Sequence, residues 1–109
     1  MCRAIKVLCL APDAPRLAEV KRAVVAAEWE LCRGATDPAE ASAQLDAERP
    51  LVLVAVGGFE SFLTSARERF PALRIVTDRE LPEADAVASA LGQLRDVVRA
   101  TTIPRGPVR

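Results

Sequence analysis

The sequence predicts an α/β domain, a parallel sheet held between two layers of helices. Three observations carry this. Residues 5–10 (IKVLCL) and 51–56 (LVLVAV) are apolar runs without alternation, as suits strands buried on both faces. The segments between such runs space their apolar residues as one face of a helix. The two kinds of segment alternate from residue 5 to residue 78, the pattern that builds a parallel sheet by successive crossovers.

The first strand, 5–10, ends at Ala11-Pro12-Asp13. Asp13 is a helix N-cap with Pro15 in the first turn, and Leu17, Val20, Val24 and Ala27 follow at helical spacing. Trp29 and Leu31 alternate with Glu28, Glu30 and Arg33, a short edge strand that stops at Gly34. Asp37-Pro38-Ala39-Glu40 is a capping box with proline at the first helical position. Its helix runs to about Glu48 and Pro50 stops it. The run 51–56 is the third strand, broken by Gly57-Gly58. Helical spacing returns over 59–70, with Phe62, Ala66 and Phe70 on one face, and Pro71 terminates it. Leu73, Ile75 and Val76 form a fourth strand ending at Thr77-Asp78.

Three arrangements fit the remainder. In one, 82–91 is a helix capped by Gly92 and 96–103 is a fifth strand. In the second, Val87, Leu91, Leu94 and Val98 lie on one stripe of a single helix over 82–101, which carries Gly92 internally at a cost of about 1 kcal/mol against alanine. In the third, 84–88 is a short strand and 91–101 the last helix. The long helix is preferred, because every position fits one stripe. Residues 1–103 are read as one domain and 104–109 as a mobile tail.

Composition removes several functions. The chain has 109 residues, half of them hydrophobic, and its fifteen Lys+Arg balance fifteen Asp+Glu. A neutral chain lacks the basic excess that nucleic-acid modules use. With no histidine, Ser-His and Cys-His catalysis and His-ligated metals are absent from it. Cys2, Cys9 and Cys32 contain no CxxC pair, which argues against a disulfide framework or a complete zinc site. No apolar run reaches the ~18 residues of a membrane span. A reduced, cytoplasmic setting is expected.

The order and lengths of the elements resemble the receiver domain of two-component response regulators over about residues 4–91. The stretch 43–56, AQLDAERPLVLVAV, is similar to the receiver segment that ends in the phosphoacceptor aspartate. The stretch 66–78, ARERFPALRIVTD, is similar to the run into the fourth strand, with Thr77 where receivers place a switch Ser/Thr. The resemblance implies a flavodoxin-like sandwich with strand order 2-1-3-4 and a possible fifth strand.

The residues of the receiver's chemistry are mostly missing. Where two adjacent acids would hold Mg²⁺ the chain has Ala11 and Pro12, with Asp13 the only acid nearby. The phosphoacceptor position falls on Val56, or on Ala55 one residue earlier, and neither can form an acyl phosphate. The only lysines are Lys6 and Lys21, so the lysine expected after a fifth strand has no counterpart. One aspartate does not supply the oxygens a divalent cation needs. The expectation is a pseudo-receiver without phosphotransfer, cofactor or metal, acting as a signalling or scaffolding module toward a protein partner.

Ligands of such folds sit beyond the carboxyl ends of the strands. Asp13, Gly57, Gly58, Thr77 and Asp78 are therefore the candidate ligand-edge residues, and a small-ligand or minor enzymatic role there is the alternative function. Capping and turn geometry also explain these five residue types. Cys9 sits inside an apolar run and six residues separate it from Arg16, against the five commonly found between cysteine and arginine in phosphatase loops, so it reads as an inert buried thiol. Trp29 reads as the cap on the edge of a core. The acidic stretch 28–49 and the basic C-terminal end could steer association. A homodimer is expected through the segment 82–101, with Val87, Leu91, Leu94, Val97 and Val98 as interface candidates.

Overall fold

The computed structural model describes residues 5–82 and 84–102. Cys2 and the expected tail, 104–109, lie outside the described residues. Five strands, β1 (Ile5–Leu10), β2 (Trp29–Leu31), β3 (Val52–Ala55), β4 (Arg74–Thr77) and β5 (Ala86–Val87), alternate with α1 (Ala14–Val24), α2 (Pro38–Glu48) and α3 (Glu60–Arg69). A 3-10 turn at Leu91–Gln93 leads into α4 (Leu94–Thr102). The sheet is parallel throughout, in the order β2-β1-β3-β4-β5. This is the flavodoxin-like receiver fold.

Right-handed crossovers dictate the layers. The chain moves one way along the sheet from β1 to β2 and the other way from β2 through β3 and β4 to β5. Accordingly α1 and α4 share one face, where Val20, Val24, Leu94 and Val98 pack on Val7, Cys9, Val52, Val54 and Val76. Helices α2 and α3 share the other, where Ala41, Leu45, Leu63 and Ala66 pack on Leu8, Leu10, Leu53 and Ile75. β1 and β3 are therefore buried on both sides, as their unbroken apolar runs require.

Local chemistry sets the helix starts. Asp13 caps α1 by accepting the Arg16 amide at 2.8 Å, and Asp37 caps α2 by accepting the Glu40 amide at 2.8 Å. The α1 stripe ends at Val24, and Ala27 is exposed beyond it. On α3 the fully buried positions are Leu63 and Ala66, while Phe62 and Phe70 are only half-buried. The inward face is thus turned by one residue from the Phe62–Ala66–Phe70 stripe.

The long helix over 82–101 does not form. The chain instead takes the third arrangement, strand then helix. β4 would otherwise present a bare edge, and the chain covers it. The Asp85 amide donates to Ile75 O at 2.7 Å and the Ala88 amide to Thr77 O at 2.9 Å. Ala90 is extended, at φ −136° and ψ 148°, which breaks the helical path. Gln93 then reaches back, its Oε1 accepting the Ser89 amide at 3.1 Å and the Ser89 hydroxyl at 3.2 Å, and so marks a new start. The link between β4 and β5 spans only 78–85, shorter than the dozen or so residues common in parallel crossovers, and its described residues form no helix.

Candidate functional site

The carboxyl ends of β1, β3 and β4 meet at one edge, as expected. Ala11 and Val56 close it, the Val56 amide donating to Leu10 O at 2.9 Å and the Ala11 amide to Ala35 O at 3.1 Å. Gly57 turns the chain away at φ +102°, and a Cβ there would stand 2.9 Å from Pro12 Cδ. Its amide donates to Asp78 Oδ1 at 3.4 Å, a long and weak bond. Gly58 follows, beside the Arg79 guanidinium. Asp78 also pairs with Arg79 at 3.3 Å. Thr77 is buried, and its hydroxyl donates to the Arg79 carbonyl.

The structure thus brings Gly57, Gly58 and Asp78 together, with Pro12, which the sequence placed at the end of β1, and Arg79, which it had not assigned, as neighbours. Thr77 turns its hydroxyl to the local turn. The Asp13 carboxylate caps its own helix and shares no hydrogen bond with the Gly57–Asp78 group. A cavity of about 70 Å³ beside them is lined by Arg16, Val56, Asp78 and the 88–91 stretch, with Leu94 at its base. Small-molecule pockets run to roughly 300–1,000 Å³, so this space suits a water or two. Among the described residues no group of three or more His, Cys, Asp or Glu could hold a metal ion. Ala55 and Val56, the two positions that the sequence resemblance matched to the phosphoacceptor, are 1% and 2% exposed.

The expected dimer residues divide. Leu94 and Val98 belong to the domain's own core. Leu91 and Val97 are half-buried, and Val87 is 37% exposed. Val87 is bare because β4 and β5 are joined without a helix. Trp29 is buried, donates its indole N–H to Val24 O at 3.0 Å, and lies under the Arg99 guanidinium at 5.8 Å. Arg99 meanwhile pairs with Glu28 at 2.7 Å, so part of the basic end and part of the acidic stretch neutralise each other within the chain. Burial pushes the Cys9 thiol up to about 12. Cys32 is also buried, and the same cause raises its thiol.

A second, roomier concavity lies at the opposite, amino end of the sheet. It is a groove of about 800 Å³ between the starts of β1, β3 and β4 and the C-terminal ends of α2 and α3. Ile5, Leu51 and Leu73 line it, with Pro50 and Pro71 beside them, and Phe70 forms part of the wall. The Arg49 and Arg69 guanidinium groups stand over the Phe70 ring at 5.6 and 5.0 Å. Sequence reasoning had used Pro50 and Pro71 only as helix stops and Phe70 as a stripe residue. The one signal it offered was an arginine close before a proline at the end of each helix (Arg49-Pro50 and Arg69-Phe70-Pro71).

No protein-family model matches the sequence, and none of the curated proteins matches it. Solved structures do resemble the fold. A response regulator receiver protein from Pseudomonas putida superposes with TM-score 0.74 at 16% identity, over 92% of this chain and 99% of that one. A CheY-like receiver domain protein from Methanospirillum hungatei gives TM-score 0.72 at 16% identity, over 91% and 94%. The chemotaxis protein CheY4 of Vibrio cholerae gives 0.71 at 18% identity, over 90% and 98%.

Proposed function

We propose that this chain, with the fold of a response-regulator receiver domain, is a signalling or scaffolding interaction module that runs no acyl-phosphate cycle. One observation carries the reading. At the carboxyl end of β3, where a receiver would present its phosphoacceptor, stand Ala55 and Val56, both buried. Neither side chain has an oxygen to phosphorylate. The Mg²⁺-binding acids are replaced by Ala11 and Pro12, and Pro12 is held against Gly57. Asp78 is the one carboxylate lining the adjacent cavity, too few oxygens for a divalent cation.

The test is incubation with acetyl phosphate and Mg²⁺, read by intact mass. The expected spectrum shows no added phosphate, and a stoichiometric shift overturns the proposal. The alternative of a small ligand at the same edge is disfavoured by the 70 Å³ cavity. A rise in melting temperature with nucleotides, phosphate or divalent cations would revive it. Pairing of two copies belongs to the proposal. Leu94 and Val98 are used internally and Leu91 and Val97 pack in part against the same core, so Val87 is the most exposed of the five, and sedimentation of Val87→Glu against wild type reads its role.

A further inference from the structure

The groove at the amino end of the sheet is apolar within and cationic at its mouth. Lys6 pairs with Glu48 at 2.8 Å and Arg69 with Asp46 at 2.5 Å. Arg49 has no carboxylate partner among the described residues. Its Nε donates to Asp46 O at 3.2 Å, and its two terminal nitrogens have no hydrogen-bond partner there. One positive charge is thus left over beside an apolar trough. Arg49 is also the described non-glycine residue with positive φ, at +49°, where the helix C-terminus favours glycine. A left-handed arginine costs backbone energy that glycine would avoid. What the arginine adds in return is its guanidinium over Phe70.

We propose that this groove docks a short peptide segment of a protein partner, one acidic side chain set between apolar ones. The proposal rests on the interaction-module reading and names its surface. The guanidinium fork matches a carboxylate bidentately, and one surplus cation matches one acidic side chain. A nucleic acid needs several neutralised phosphates, which this mouth does not offer. Ile5, Leu51 and Leu73 take the flanking apolar side chains.

The test selects random dodecapeptides displayed on phage against the immobilised full chain, then titrates the enriched peptides into ¹⁵N-labelled protein. Enriched sequences are expected to hold Asp or Glu between apolar residues, and the shifted amides to cluster at Arg49, Leu51, Phe70 and Leu73. Arg49→Glu should weaken binding by about 10-fold or more and select basic peptides instead. Arg49→Gly relieves the left-handed backbone, so it should melt no lower than wild type while losing the same affinity. Selection without acidic residues, or full affinity in Arg49→Gly, overturns the proposal. So do groove amides that shift with protein concentration alone, which would make a second copy the occupant. Peptides that shift only Val87, Leu91 and Val97 refute the groove yet leave the interaction-module reading standing. Phosphate uptake refutes that reading without moving any of these signals.

Discussion

Arg67 of α3 and Asp85, the residue just before β5, meet at 2.5 Å across the link that lacks a helix. The same carboxylate oxygen accepts the Ile75 amide at 2.8 Å, and Arg67 donates onward to Leu73 O at 2.7 Å. Asp85 therefore supplies with its side chain an acceptor that a longer β5 would have supplied with its backbone. Asp85→Ala strands the amide of a fully buried residue and should cost about 1–3 kcal/mol in urea denaturation. Asp85→Asn keeps an oxygen for that amide and should lose less.

Val56→Asp puts an acid at one of the two positions matched by resemblance to a receiver's phosphoacceptor, without supplying a site around it. The new carboxyl sits at a position 2% exposed, next to Ala11 and Pro12. Denaturation should show a loss of about 3 kcal/mol. Intact mass after acetyl phosphate and Mg²⁺ should still show no phosphate.

Gly57→Ala tests how tightly the carboxyl edge is built. The residue is held at φ +102° with Pro12 where its Cβ would go. The expected loss is about 1–3 kcal/mol, read by thermal or chemical denaturation.

The Arg99 hydrogen bond holds the Glu28 carboxyl below its ordinary value of 4.5. A carboxyl depressed in the folded state adds stability above its unfolded value, and that stability is lost as pH falls through the folded one. The wild-type melting temperature should therefore fall as pH drops below about 4.5, and Glu28→Gln should flatten that acid limb. The Arg99–Glu28 contact is exposed, so added salt should shrink the difference.

Cys9 should resist iodoacetamide at pH 8 in the folded protein, because its thiol is raised to about 12 by burial and the thiolate is the reactive form. Peptide mapping after alkylation in urea should show it fully modified. Labelling of the native protein at Cys9 would contradict the packing of β1 described above.

Most of the fold was legible because it is written locally. Asp13 and Asp37 cap where their spacing places them, and the unbroken runs of β1 and β3 announce a sheet covered on both faces. Residues 82–101 misled because Val87, Leu91, Leu94 and Val98 satisfy a helical stripe equally well. The deciding interactions were distant: β4 needed partners for Ile75 and Thr77, and these came from Asp85 and Ala88. The carboxyl edge was foreseeable from topology alone, since any parallel sheet gathers its strand ends there. The opposite groove was not, because three stretches far apart in the sequence, 5–6, 48–51 and 69–73, build it together.

The position of α4 has a consequence in time. Its Leu94 and Val98 cover the same sheet face as α1, and Arg99 clasps Glu28 from 71 residues away. A ribosome adding about 5–20 residues per second needs some seconds between finishing β3 and finishing α4. Through that interval Val52, Val54 and later Val76 lack half their cover, a greasy strip on a nascent chain. Synthesis thus delivers the central strands well before their lid.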